Sequence, residues 1–261
     1  MDNLELVSVI MPSYKCARFI EESIKSVQAQ TYKNWELIVV DDCSNDGTIS
    51  IVTELQAKDV RIHVYSNASN SGAAVSRNVA SREAKGRWIA FLDSDDLWEP
   101  TKLEKQIKFM EENRYAFSYH EYVEIDEDGK DLGIHVSGKS HVGKFDMYSC
   151  CLPGCLSVMY NAEKIGLIQI NDIKKNNDTA MWLKVIKEAD CHLLPEVLGK
   201  YRRRANSITP KPIWKRIWAH YPLFRIAEEM NPIASTFWVI MNVFGNAYKK
   251  FRYVKKYTPS I

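Results

Sequence analysis

The 261-residue chain lacks several features that would place it quickly. No Gly-x-Gly-x-x-Gly follows its first strand-like run, which disfavours a dinucleotide site. Its six cysteines (Cys16, Cys43, Cys150, Cys151, Cys155, Cys191) show no paired zinc spacing, and the Cys-x₃-Cys of Cys151 and Cys155 reads as packing. The N-terminus has no basic segment followed by an apolar core, so a reducing cytosolic setting with buried thiols is expected. No internal repeat or low-complexity segment breaks the pattern. What remains is an ordinary globular composition, 46% hydrophobic and 26% charged, with room for one large domain and an appendage.

The net charge of +2 hides an asymmetry. Residues 211–261 carry nine Lys/Arg against Glu228 and Glu229, a balance of +7, which leaves −5 for residues 1–210. A mildly acidic body and a basic tail need separate explanations.

Strand and helix signals alternate through the first hundred residues. Strands are predicted at Leu6–Met11, Trp35–Val40, Arg61–Tyr65 and a run ending at Asp93; helices at Phe19–Gln30, Thr48–Ala57 and Ala73–Lys85. Such alternation implies an α/β fold with a mostly parallel sheet and right-handed crossovers. Beyond it, a helix is expected over Thr101–Glu112 and a strand over Tyr115–Ile125 entering a hairpin. Asp131–Ser149 reads as a polar acceptor-side loop, and Cys151–Met159 as a return to buried strand.

The most informative stretch is Arg87-Trp88-Ile89-Ala90-Phe91-Leu92-Asp93-Ser94-Asp95-Asp96. A buried apolar run stops at three carboxylates within four residues. Carboxylates so close repel one another and invite a hard cation, Mg²⁺ or Mn²⁺. Pro12-Ser13-Tyr14 and Asp41-Asp42 close two other strands, and parallel strand ends converge on one edge, where such folds bind ligands. A formal phosphate-loop match, Gly133-Ile134-His135-Val136-Ser137-Gly138-Lys139-Ser140, lacks the preceding strand and following helix it needs.

The blocks Val7–Tyr14, Glu36–Thr48, Asn70–Ala74 with Arg77-Asn78, and Phe91–Asp96 occur in an order that resembles glycosyltransferase family 2. The resemblance runs from about Leu6 to Ser207 and is nearest to bacterial polysaccharide enzymes of the teichuronic-acid-synthesis type. It implies a GT-A fold, a Rossmann-like nucleotide-binding half (1–96) fused to an acceptor and catalytic-base half (97–210); residues 211–261, beyond it, read from their composition as a basic, aromatic helical tail. It also implies inverting transfer of a sugar from a nucleotide-diphospho-sugar, UDP-linked, to a glycan or lipid-linked acceptor in surface polysaccharide synthesis.

The same resemblance assigns roles. Pro12, Ser13 and Tyr14 would surround base and ribose, and Asp42 would accept the uracil N–H, with Asp41 the structural partner. Gly72 would open a helix onto the nucleotide, and Arg77 would hold the nucleotide or brace Asp93. Asp93, with Ser94 beside it, would touch ribose or reach the Mn²⁺ or Mg²⁺ through water, while Asp95 would bind the ion directly. Relatives often place a His after the last sheet strand; here Arg202 and Arg204 stand there, suited to the diphosphate. Asp178 would be the base, at a helix start where relatives show Glu-Asp and this chain has Asn177-Asp178. Trp182 would floor the acceptor sugar or else belong to the core.

Rival readings are a metal-dependent nucleotidyltransferase, which usually opens with a Gly- and Lys/Arg-rich triphosphate loop absent from Met11–Arg18, and a non-catalytic nucleotide-sugar-binding module, which has no use for Asp178. No nucleic-acid partner is expected. Residues 232–248 are uncharged and aromatic-rich, and Lys249, Lys250, Arg252, Lys255 and Lys256 follow. Seventeen residues with Pro232, Asn242 and Gly245 fall short of the roughly 20 a bilayer crossing needs. Interfacial contact through 232–257, on the cytoplasmic face of the membrane, is expected instead; packing on the domain or a second copy is the alternative.

Overall fold

Neighbouring residues on the first strands point into different cores. In β1 (Val7–Ser13), Val9 and Met11 join one apolar cluster while Ile10 joins the other. In β2 (Trp35–Asp41), Leu37 and Val39 part in the same way from Ile38 and Val40. Side chains alternate across a strand, so a sheet covered on both faces needs an unbroken apolar run. The computed structural model describes residues 5–204 and 217–259. Ala205–Ser207 of the resemblance, the boundary at 210 and the first residues of the tail lie outside them.

Sequence and structure agree closely in the N-terminal half. The helices are α1 (Ile20–Gln28), α2 (Thr48–Lys58) and α3 (Ala73–Glu83), and the further strands β3 (Ile62–Ser66) and β4 (Trp88–Phe91). In α1 the buried residues Ile20, Ser23, Ile24 and Val27 make one helical stripe. The strands β3, β2, β1 and β4 run parallel in that order.

The other half is mixed. After β5 (Leu97–Trp98) and α4 (Lys102–Glu112) come β6 (Phe117–Ile125) and β7 (Asp131–Val136), an antiparallel hairpin. Next are β8 (His141–Val142), α5 (Lys144–Ser149), β9 (Met159–Asn161), α6 (Ala162–Ile165), α7 (Asn177–Glu188) and β10 (Cys191–Arg202). β9 bridges the halves, pairing antiparallel with β4 and with β6. β10 lies parallel to β6 and antiparallel to β5 and β8.

Two expectations for this half need correction. Cys151–Met159 is not a strand, since Cys155–Ser157 forms a 3-10 turn and pairing begins only at Met159, the start of β9. Asp131–Ser149 is not a loop: it holds β7, β8 and α5, with Gly143 at the N-cap of α5. The phosphate-loop match begins inside β7, so no helix N-terminus faces its glycines. The tail packs on the domain, one of the two readings its sequence left open. Helix α8 (Pro232–Tyr253) packs on α5, and β11 (Val254–Lys256) pairs antiparallel with β7, extending the sheet. Among the described residues no helix is long and apolar enough to cross a membrane.

Candidate active site

The three polar strand ends do converge. The Asp42 amide donates to the Ser13 carbonyl at 2.8 Å, and the Leu92 amide to Ile10 at 3.1 Å, locking the ends of β2 and of the chain leaving β4 to β1. Of Pro12, Ser13 and Tyr14, only Tyr14 presents a surface, at 43% exposure. The Pro12 and Ser13 side chains are buried in the sheet.

Asp42 is a brace. Its Oδ1 accepts from Asn67 Nδ2 and Ser71 N, both at 2.8 Å, and its Oδ2 from Gly72 N at 2.7 Å. The carboxylate thereby fixes the turn that enters α3, where Gly72 adopts φ +91°, a region L side chains avoid. The Gly72 N–H is thus engaged by the Asp42 carboxylate. Each carboxylate oxygen has two lone pairs, so Oδ2 retains one acceptor position. Asp41 Oδ2 accepts from Ser44 N at 2.8 Å, while its buried Oδ1 has no partner among the described residues.

The carboxylate cluster is held by arginines. Arg77, buried on α3, donates from one terminal nitrogen to Asp93 and from the other to Asn177 Oδ1. Burial works against its charge, but Asp93, the Cys155 sulfur and Asp178 more than offset that, and its pKa is raised. Asn177 accepts from the guanidinium at the position where the resemblance implied a glutamate. Asp178 follows it as the second residue of α7, partly exposed, its Oδ1 accepting from Thr179 N at 2.7 Å.

Asp95 faces Arg204, whose guanidinium lies 3.1 Å from Oδ2. Burial, then the charge of Asp93, raise the Asp95 pKa, and Arg204 opposes them. Asp96 is fully buried, with Oδ1 accepting from Arg202 N at 2.8 Å, and burial pushes its pKa well up. Ser94 is buried beside the Cys16 thiol. Burial raises the pKa of Cys16, and burial together with Asp93 raises that of Cys155, so both thiols stay neutral.

Two predicted site residues belong elsewhere. Arg202 does not face the diphosphate: its guanidinium donates to the carbonyls of Asp95, Asp126 and Glu127 and to Glu22, and its side chain is 1% exposed. Sequence adjacency could not separate it from Arg204: Arg202 ends β10 and Arg204 lies two residues beyond it, and only the packing decides which one is covered. Trp182 does not floor the acceptor. It is 0% exposed and packs edge-on against Phe91 at 4.8 Å. Three residues at the site had not been singled out: Asn67, Cys16 and Cys155. Asn67 directly follows β3 and so obeys the same strand-end rule as Asp42.

The chain matches the description "Glycosyl transferase family 2" over residues 8–156, more than half of its length. It is 40% identical to the putative teichuronic acid biosynthesis glycosyltransferase TuaG of Bacillus subtilis, over 94% of this chain and 97% of that one. It is 37% identical to the UDP-Glc:alpha-D-GlcNAc-diphosphoundecaprenol beta-1,3-glucosyltransferase WfgD of Escherichia coli, over 87% and 92%. The fold is shared with residues 1–349 of S. aureus TarS in complex with UDP-GlcNAc, at TM-score 0.68 and 19% identity, covering 94% of this chain and 74% of that one. It is shared also with the mannosyltransferase PcManGT of Pyrobaculum calidifontis, in complex with GDP-Man and Mn²⁺, at TM-score 0.62 and 18% identity, covering 94% and 75%. With ordered carboxylates at the strand ends of a GT-A fold and relatives that match over nearly its whole length, the chain belongs to glycosyltransferase family 2 and is a glycosyltransferase.

Proposed function

We propose that the chain transfers a sugar from a UDP-sugar to a hydroxyl of a lipid-linked acceptor in bacterial surface polysaccharide synthesis, with inversion, at the cytoplasmic face of the membrane. The observation that carries this reading is the single Arg77 guanidinium that holds Asp93 at the end of β4 and Asn177 beside Asp178. This link supports reading Asp93 and Asp178 as donor-side carboxylate and base of one site. The named activity of WfgD, a UDP-glucose transferase acting on a diphosphoundecaprenol acceptor, supports the substrate classes.

Each residue then has a task. Tyr14 covers the base and ribose, and Asp42 Oδ2 takes the uracil N–H in its remaining acceptor position. Arg204 turns its fork to the diphosphate. Asp178 accepts the proton of the acceptor hydroxyl as that oxygen bonds to the anomeric carbon and the bond to the diphosphate oxygen breaks on the opposite face. General-base help of this kind contributes roughly 10²- to 10⁴-fold.

A divalent cation fits the site. Asp93 and Asp95 repel each other, which is part of why the Asp95 pKa is raised, and a cation relieves that. Among the described residues no three potential side-chain ligands cluster, so Asp95, assisted by Asp93, would hold Mn²⁺ or Mg²⁺ with donor oxygens completing the shell. The bound ion would supply Lewis-acid stabilisation of charge on the departing diphosphate.

Release of UDP from a set of UDP-sugars, measured with and without a lipid-linked glycan acceptor, tests the reading. Acceptor-dependent UDP release is expected. UDP binding without release would assign a binding module, and pyrophosphate release from a nucleoside triphosphate would assign a nucleotidyltransferase; either outcome overturns the proposal.

A further inference from the structure

Helix α8 leaves an apolar stripe uncovered. Its inner face carries Ser235, Asn242 and Gly245 beside Trp238 and Val239, which pack on the apolar core. The Asn242 amide donates to the Tyr148 carbonyl at 2.8 Å, and Gly245 lies so close that a Cβ would meet the Ser149 carbonyl oxygen at 2.2 Å. Its outer face carries Ile233, Phe237, Ile240, Phe244, Tyr248 and Phe251, at three- and four-residue steps that form one stripe. Ile233 is 84% and Phe251 89% exposed. Surface helices ordinarily turn their apolar residues inward and polar ones outward, and a further exposed stripe of this kind marks a contact surface.

Charge identifies the occupant. Lys250, Arg252, Lys255 and Lys256 stand exposed at the C-terminal end of the stripe, and no carboxylate occurs from Asn231 to Pro259. A second copy laid antiparallel on the stripe would bring each basic end over an uncharged half-helix; laid parallel, it would stack the two basic ends. Anionic lipid headgroups complement the arrangement, with the stripe at the acyl boundary and the lysines among the phosphates. At 22 residues the helix is about 33 Å long, enough to lie along a bilayer.

The helix is also tied to the chemistry. Lys249 points inward and donates to the carbonyls of Cys151 and Leu152 at 2.8 and 2.9 Å. That segment continues to Cys155, whose thiol lies against Asp93 and Arg77. We propose that the outer stripe of α8, with its basic end, docks the enzyme flat on an anionic bilayer, holding the active site beside the headgroups. The biological sense of this docking rests on the lipid-linked acceptor proposed above; the surface itself does not.

The test uses the full chain and sedimentation with vesicles of phosphatidylcholine, alone or with about one-third phosphatidylglycerol, at low and high salt. Binding to the anionic vesicles is expected, weakened by salt. It should fall at least about tenfold in Phe237→Glu/Phe244→Glu, which removes the apolar contact, and in Lys250→Glu/Lys255→Glu/Lys256→Glu, which removes the charge. Urea midpoints check that the variants fold, and Phe251→Glu serves as the milder second variant. Wild-type protein that ignores anionic vesicles overturns the proposal, as does undiminished binding by the variants. A dimer seen by light scattering that Phe237→Glu/Phe244→Glu dissolves, without vesicle binding, gives the stripe to a second copy. Vesicle binding without UDP release would leave the docking surface standing and overturn the transfer reaction instead.

Discussion

Arg77 and Asn177 are a hundred residues apart in the chain and hydrogen-bonded in the fold, the guanidinium donating to the amide oxygen. Through its other terminal nitrogen the same guanidinium holds Asp93. One buried side chain thus ties Asp93, at the end of β4, to the helix whose second residue is Asp178, the proposed base. Removing it would leave Asp93 without its counter-charge and Asn177 without its donor. Arg77→Ala should lose roughly 3–5 kcal/mol of stability, the range for breaking a buried pair from one side. Urea unfolding measures this; a loss under 1 kcal/mol would show that the two halves are held elsewhere. Asn177→Asp, which restores a carboxylate facing Arg77, should keep turnover within about threefold of wild type.

Asp178→Asn retains shape and hydrogen bonding but cannot take a proton. Turnover should fall by roughly 10²- to 10⁴-fold, the range for general-base help, while donor affinity by calorimetry stays the same. A fall of less than threefold would reduce Asp178 to a helix-start residue.

For Asp95 the sign of the effect differs between stability and activity. Its folded pKa is raised by burial and by Asp93, so the ionised form is disfavoured by folding. Stability from this group is therefore present below the unfolded pKa and lost as pH rises through the raised one. In EDTA at neutral pH, Asp95→Asn should melt higher than wild type, and the gap should close on acidification. The same variant should lose nearly all transfer in Mn²⁺. A wild-type rate in EDTA, together with a wild-type rate for Asp95→Asn, would sink the metal-assisted mechanism.

Arg202 and Arg204 should separate cleanly. Arg202→Ala removes donors from several carbonyls and a buried charge, and should cost roughly 3–5 kcal/mol of stability. Arg204→Ala should leave the urea midpoint near wild type and weaken donor binding by about 1.5–3 kcal/mol, the range for hydrogen bonds to charged groups. If Arg202→Ala instead folds normally and loses donor affinity, the assignment is reversed.

His120 should make the chain acid-sensitive. Buried, and beside Lys102, it has a pKa lowered from 6.5 to about 3. The unfolded chain binds this proton below 6.5 and the folded chain does not, so stability falls as pH drops between those values. Each pH unit costs up to about 1.4 kcal/mol from this group. Unfolding free energies at pH 7 and pH 5 should converge in His120→Gln; an unchanged slope would place the titration elsewhere.

Much of the candidate site was legible because the information is local. A buried parallel strand must be an apolar run, and it must end where polar residues resume, so Tyr14, Asp42 and Asp93–Asp96 could be placed on one edge before any coordinates. Asp178 came only through the family pattern, since an Asp at a helix start has an ordinary capping explanation. The antiparallel half was less readable. Its short strands β8 and β9 carry no period of their own and form because neighbouring edges offer them hydrogen bonds.

By itself the sequence determined which segments could be buried strand or amphipathic helix, since side-chain period and burial are coupled residue by residue. It also determined the order of the polar strand ends, and hence the sheet edge that carries the site. Tertiary structure alone decided which polar groups on that edge are already engaged: Asp42 by the turn at Ser71 and Gly72, Arg202 by three carbonyls and Glu22, Arg77 by Asp93 and Asn177. It decided too that Trp182 faces the core and that α8 turns its aromatic stripe outward. These outcomes depend on partners up to a hundred residues or more distant in the chain, and no local pattern records which neighbour a side chain will meet when the layers close.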